Sequence, residues 1–216
     1  MMPNHFFTQS FDKLPNVLPI FPLAGAVVLP GGTLPLNIFE PRYLAMVQDA
    51  MRSNQLIGVI QPKDNLSQPS LYKIGCAARI RRYEELDDGR LEIELNGLCR
   101  FNILEELESM RDYRIIKADW MPYEHDMKNS IHSTASNHPS LVSVLKRYFE
   151  SKNLDTDWDI VNKIDQAQLV NNLLSYLPLT PEDKQLLVEA NGTSERIKFF
   201  IAILQREQSN GNNTRH

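Results

Sequence analysis

Hydrophobic and polar positions along this chain follow two different periods, one before about residue 123 and another after about residue 140. In the first part apolar residues come in short runs or at every second position, the signature of strands. From Leu18 to Phe39 the text LPIFPLAGAVVLPGGTLPLNIF is apolar and β-branched. Pro19, Pro22, Pro30 and Pro35 each remove a ladder donor from it, so its strands must be short, bent or at an edge. Gly31 and Gly32 supply the turn between them.

A helix is expected next. Pro41 suits a first helical position, and Glu40 sets negative charge at the positive end of the dipole. Tyr43, Met46, Val47, Ala50 and Met51 then fall on one stripe, which reads as core rather than as a ligand box. Leu56 to Ile60 is a buried strand by its continuous apolar text, and Pro62 to Ser70 a polar surface loop. Tyr72 to Leu86 runs as a strand into Asp87-Asp88-Gly89, a hairpin turn signal. Beyond it Leu91, Ile93 and Leu95 alternate with Glu92, Glu94 and Asn96, one face dry and one wet. The alternation resumes after Gly97 with Cys99, Phe101 and Ile103, and a last strand is expected over Tyr113 to Tyr123. Short strands joined by hairpins, with one helix inserted, predict a small, partly closed barrel.

The second part switches to period 3.6. Residues 124–140 are polar and rich in His, Ser and Asn, and read as a linker or flexible loop. Leu141, Leu145, Tyr148 and Phe149 start a helical stripe. Asp165 with Gln168 three residues on makes a capping box ahead of Leu169, Val170, Leu173, Leu174 and Leu177. Thr180-Pro181-Glu182-Asp183 starts another helix that ends near Gly192. Thr193 caps a last one through Ile197, Phe200, Ile201 and Leu204. The tail from Ser209 is too polar to pack and is expected to fray. The fold class is therefore α+β: a barrel over residues 14–123, a linker over 124–140, a helical bundle over 141–208 and a disordered tail over 209–216.

Composition narrows the function. The formal net charge of −4 over 216 residues argues against a polyanion-binding surface, which needs clustered Lys and Arg. The densest basic stretch, Arg79, Arg81 and Arg82, is followed at once by Glu84 and Glu85, and reads as a solvated strand edge. No apolar run reaches the roughly 18 residues that cross a bilayer. The N-terminus lacks the basic start and apolar stretch of a signal peptide, so a cytoplasmic protein is expected. Cys76 and Cys99 read as small buried hydrophobes, and no CxxC, HxH or HExxH spacing points to a metal.

Catalytic chemistry is not legible either. There is no Gly-x-Ser-x-Gly elbow and no Gly-Lys pair, hence no Walker phosphate loop. His5, His125, His132, His138 and His216 stand in polar or terminal text, where nothing tunes or aims a general base. Glu84, Glu85, Asp87 and Asp88 cluster beside a turn, which reads as turn chemistry and solubility. Trp120 and Trp158 read as packing. No cofactor is implied, and the chain reads as a binder.

Taken together, these positions resemble the N-terminal, substrate-binding domain of the Lon protease family. The resemblance rests on Leu18, Pro19, Pro22, Leu23, Val28, Pro30, Gly31, Pro35, Leu36, Pro41, Arg42 and Tyr43. The strand Leu71 to Ile80 and the unit from Gly89 to Phe101 fit as well. It covers Leu14 to about Leu107 clearly and the helical part more loosely. It implies a PUA-like β-barrel followed by a helical bundle, and a role in recognising unfolded or tagged polypeptides or a partner protein. In the full protease an ATPase module and a Ser-Lys peptidase module follow on the same chain. This sequence stops at His216, so a stand-alone, non-catalytic member linked to protein quality control is expected.

Rival readings are an RNA- or nucleotide-binding PUA-like module and an enzyme with a small-molecule pocket between the two parts. For a polypeptide contact the candidate is the turn Leu29, Pro30, Gly31, Gly32 and Leu34, where apolar residues crowd around a bend. The composition also sets one expectation for the whole chain. Limited proteolysis followed by mass spectrometry should find the first cut between Glu124 and Ser140; first cuts inside Leu91 to Ile103 would contradict the division.

Overall fold

The computed structural model describes residues 10–128 and 138–213, with side chains described as far as Ser209. Six strands form one mixed sheet: β1 (Val17–Pro22), β2 (Thr33–Ile38), β3 (Leu56–Ile60), β4 (Ile74–Glu85), β5 (Leu91–Leu107) and β6 (Ile115–Asp119). Their order is β2-β5-β4-β3-β1-β6, and a second pairing of β5 with β6 brings the sheet back on itself. Five strands thus close a ring, while β2 stays outside it, paired to the start of β5. The ring is not a clean barrel. β1 and β3 run parallel, and the long β5 serves twice, Leu91 to Asn96 toward β2 and Asn102 to Leu107 toward β6.

The hydrophobic pattern explains the layering. Leu18, Ile20, Leu56, Ile60, Ala77, Cys99, Phe101, Ile116 and Ala118 meet on one side of the strands, inside the ring. Phe21, Ile57, Val59, Cys76, Ala78, Ile80 and Ile93 meet on the other, under helix α1 (Pro41–Met51). Its Tyr43, Met46, Val47 and Ala50 complete that cluster, as the stripe predicts. Both faces of β3 are therefore buried, which is why its text has no polar alternation. On β5 the alternation is visible, with Leu91, Ile93 and Leu95 buried and Glu92 and Glu94 exposed.

The helical part comprises α2 (Glu124–Lys128), α3 (Leu141–Lys152), α4 (Trp158–Val161), α5 (Gln166–Tyr176), α6 (Pro181–Glu189) and α7 (Thr193–Asn213). Asp165 caps α5 by accepting from the amides of Ala167 and Gln168, at 2.9 and 3.2 Å. Thr180 caps α6 by accepting from the amide of Asp183 at 3.2 Å. Each such cap stabilises a helix by about 1 kcal/mol. Leu145, Tyr148, Val170, Leu174, Ile197, Phe200 and Leu204 form the core between these helices.

Four sequence expectations are changed by the structure. The strand expected over Tyr113 to Tyr123 is only β6. It gives way at Trp120 to a 3-10 turn, Met121–Tyr123, that contains Pro122. The stretch expected as a linker begins with α2, held by a Lys128–Glu124 pair at 2.8 Å and by Asp126, whose role is described below. Residues 129–137 lie outside the described residues. The last helix also runs past Ser209 to Asn213, and the Ser209 hydroxyl donates to the carbonyl of Gln205.

The largest correction concerns Leu29 and Leu34. Leu29 is fully buried and belongs to the helical core, while Leu34 is 4% exposed and packs in the cluster beneath α1. The apolar text around the turn is inward-facing, so neither leucine can meet a client in the folded chain.

The two parts are joined through Arg100, which is 1% exposed. Its guanidinium makes a two-pronged contact with Asp126, Nε to Oδ2 at 2.8 Å and Nη2 to Oδ1 at 2.9 Å. Nη1 donates to the carbonyls of Val188 and Ala190 at 3.0 and 2.7 Å, at the C-terminal end of α6. One side chain of β5 therefore holds α2 and α6 at once.

Two stability outcomes follow. Arg100→Met strands the Asp126 carboxylate and two carbonyls, and should cost about 3–5 kcal/mol in urea unfolding. Arg100→Lys should recover little of that, because an ammonium cannot reproduce the fork. Leu34→Asp should lower stability by at least ~3 kcal/mol by burying a carboxylate among apolar side chains; a thermal melt like that of the parent would contradict the burial.

Candidate functional site

The turn singled out in the sequence is built as its residue types require. The amide of Gly32 donates to the carbonyl of Leu29 at 2.8 Å, with Pro30 and Gly31 between them. Gly31 has φ +77°, the left-handed conformation that the third residue of a type II turn adopts. The turn is stitched to β5 by Gly31 N to Gly97 O and Gly97 N to Gly32 O, both 2.9 Å. A Cβ on Gly97 would lie 2.0 Å from the Leu29 carbonyl oxygen, so only glycine admits this approach.

Residues 25–32 do not face solvent as a free loop. They are held between the ring and the bundle by polar side chains of α5 and α6. Lys184 Nζ donates to the carbonyl of Gly25 at 2.7 Å, Ser175 Oγ to that of Val27 at 3.0 Å and Asn171 Nδ2 to that of Pro30 at 2.9 Å. Gln61 completes the joint: its Oε1 accepts from Gly25 N, and its Nε2 donates to the Pro181 carbonyl and to Gln185 Oε1. Of the five residues proposed for a contact, only Gly31 is exposed and Pro30 partly so; Leu29, Gly32 and Leu34 are buried. The segment is a latch between the two parts.

Pattern reading missed the residues that make the latch. Asn171, Lys184 and Gln185 stand on helices with apolar stripes and are buried, and Gln61 follows a buried strand. The available signal was a polar residue where the period calls for an apolar one. Arg196 belongs to the same group, donating to the carbonyl of Leu187 and to Asn171 Oδ1. Burial, added to by the nearby charge of Arg100, brings its guanidinium down to about 10, so it stays charged at neutral pH.

The remaining candidates for chemistry have structural roles. His125 lies on α2 with Nε2 3.2 Å from Arg100 Nη2, and His138 sits by Ser140 at the start of α3. His5, His132 and His216 lie outside the described residues. Cys76 and Cys99 are free and buried on neighbouring strands, one register step apart and in different core clusters. Burial pushes the Cys99 thiol up to about 12 and that of Cys76 well above its ordinary value, so both are poor nucleophiles. Trp120 donates to the carbonyl of Pro15, and Trp158 packs edge-on against Phe149. Among the described residues no group of three or more His, Cys, Asp or Glu could hold a metal, and no helix is long and apolar enough to cross a membrane.

One concave feature lies at the surface, where α1 ends beside β4. A cleft of about 250 Å³ is lined by Met51, Gln55, Arg79, Ile80, Arg81 and Tyr83. Gln55 has φ +61° and its carbonyl accepts from Ile80 N, fixing the helix end against the strand. Beyond Arg79, β4 has no β3 partner among the described residues, and Arg81 to Glu85 form an open strand edge. The acidic cluster Glu84, Glu85, Asp87 and Asp88 lies at its far end, exposed around the hairpin.

Comparison with known proteins agrees with this architecture. Residues 17–206 match the family model of the ATP-dependent protease La (LON) substrate-binding domain, so the match includes both the ring and the bundle. A Lon protease of Flavobacterium johnsoniae is 29% identical over 208 residues, 90% of this chain and 25% of that protein. One from Anaeromyxobacter dehalogenans is 34% identical over 212 residues, 91% of this chain and 24% of that protein. The chain thus spans about a quarter of the length of the curated relatives it matches. Among solved structures, a Lon N-terminal domain protein from Xanthomonas campestris superposes with a TM-score of 0.63 at 27% identity. It covers 86% of this chain and 97% of that one. The N-terminal domain of a Mycobacterium avium complex Lon protease has the same fold, with a TM-score of 0.63 at 16% identity and coverage of 88% and 98%. With one family model running through nearly all of the ring, the latch and the bundle, the chain belongs to the family of Lon substrate-binding domains.

Proposed function

We propose that this chain binds polypeptide, as an unfolded or tagged client or as a partner protein in quality control, and does not itself cut it. The observation that supports this reading is the family match over residues 17–206. It takes in both parts and the latch between them, so the reading applies to the joined body. Phe39, Leu66, Leu104, Met110 and Met121 remain exposed and offer apolar contact to a chain that has lost its own core. Small contacts of this kind give weak binding, in the micromolar range or poorer.

The RNA-binding alternative has less support. Arg82 is paired to Glu84 at 3.0 Å, Arg114 to Glu106 and Arg90 to Asp88, so these three arginines near the strands are already matched by acids. The absence of a legible nucleophile and phosphate loop in the sequence supports binding without catalysis.

Fluorescence anisotropy of labelled, permanently unfolded casein titrated with the full chain is the direct test. Saturable binding at micromolar concentrations is expected, with weaker binding of a folded control and no cleavage of casein with or without ATP. Equal affinity for folded and unfolded probes would contradict the reading, and casein cleavage abolished by a substitution in this chain would contradict its non-catalytic part.

A further inference from the structure

The basic stretch and acidic cluster on β4 have no part in the latch or the cores. They occupy the open edge, where Arg81 to Glu85 are all exposed. Arg82, Tyr83, Glu84 and Glu85 pair with Glu94, Ile93, Glu92 and Leu91 of β5, and Arg81 is the extra residue of a register shift. Among the described residues no other strand pairs with this stretch. An open edge exposes a row of backbone donors and acceptors that can accept another strand. The other open edge, β2, has Pro35 at its middle, which leaves a gap in its row of N–H groups. β4 has no proline, and its Tyr83 is 57% exposed.

The order of charges along this edge is antisymmetric about Tyr83: two arginines before it, two glutamates after it. Laid antiparallel against an identical strand, with Tyr83 opposite Tyr83, Arg82 comes opposite Glu84 and Arg81 opposite Glu85. The same two pairs recur on the other side of the axis, so every charge meets its opposite. A parallel alignment would set arginine against arginine and glutamate against glutamate. Opposite charges directly across an antiparallel pair are stabilising and like charges destabilising. The charges that would guard this edge against parallel pairing therefore complement it in the antiparallel sense.

We propose that the chain forms a two-fold dimer by antiparallel pairing of Arg81–Glu85 with the same edge of a second copy. The interface is isologous, as closed dimers require. Tyr83 is the register partner of Ile93 on β5 and lines the cleft, so the two Tyr83 rings meet on that face. Glu85 of the second copy comes to the cleft wall formed by Arg79 and Arg81. The register between β4 and β5 shifts between Ile80 and Arg82, and a bulge of this kind bends a strand and re-aims its side chains. Here it falls next to Arg79, where pairing with β3 ends. Arg82 exchanges its pairing with Glu84 of its own strand for Glu84 of the second copy, at little cost because exposed pairs are weak. Five residues a side make a small interface, and the dimer should be weak, dissociating in the micromolar range or above.

Sedimentation equilibrium of the full chain, over a concentration series up to a few hundred micromolar, reads the result. The parent chain should show a monomer–dimer equilibrium. Arg81→Glu with Arg82→Glu makes the edge wholly acidic, and Glu84→Arg with Glu85→Arg makes it wholly basic. Each should raise the dissociation constant at least about tenfold, through several like-charge contacts per dimer. An equimolar mixture of the two variants should form a heterodimer, and the chain with all four changes should dimerise again. The side chains are exposed, so melting temperatures should stay near that of the parent, and if one double variant misfolds the other tests the same pairing. A parent chain that stays monomeric, or a dimer indifferent to both double variants, overturns the proposal. So does a monomer whose casein binding is lost in both, which would assign the edge to a client strand.

Discussion

The buried guanidinium of Arg100 is the constraint around which the rest of the molecule is arranged. A helix leaves its last carbonyls without partners, and α6 ends deep in the protein against β5. Two arginines meet that need: Arg100 from the strand takes the carbonyls of Val188 and Ala190, and Arg196 from α7 takes that of Leu187. Cations suit the negative end of the helix dipole, so the contact is favourable in charge as well as in geometry. The position of α6 follows, and with it the polar side chains it presents to the latch at residues 25–32.

This arrangement gives the match to the Lon substrate-binding family a physical meaning. A barrel with helices loosely appended would expose the apolar segment between Gly25 and Leu34 whenever the two parts separated. Instead its carbonyls are taken by Lys184, Ser175 and Asn171, and Val27 and Leu29 sit in the helical core. The polypeptide-binding reading therefore concerns the outside of a single joined body. The apolar segment between Gly25 and Leu34 is used up in holding that body together.

Much of the architecture was legible from residue order. Local signals sufficed for α1, from Pro41 and its stripe, for the caps at Asp165 and Thr180, and for the wet and dry faces of β5. They failed where a distant partner decided the outcome. α2 has polar, weakly periodic text and is fixed by Arg100 reaching Asp126 from another element. Leu29 and Leu34 flank a proper turn signal, yet they are buried because helices more than a hundred residues away close over one of them and α1 over the other. Gly97 looked like a break in a strand; its reason is the Leu29 carbonyl, which no local pattern announces. Conversely, the open edge of β4 could be recognised only once the register showed that its pairing with β3 stops at Arg79.

The claim that ring, latch and bundle form one cooperative body is tested most directly by native-state hydrogen exchange on the full chain. The amides of Gly31 and Gly97 lie in the latch, that of Lys184 in α6 and those of β3 in the ring. The account predicts that all of them exchange through the same global opening, with a shared free energy and a shared denaturant dependence. Latch and α6 amides exchanging through a separate, lower-energy opening while β3 stays protected would contradict it.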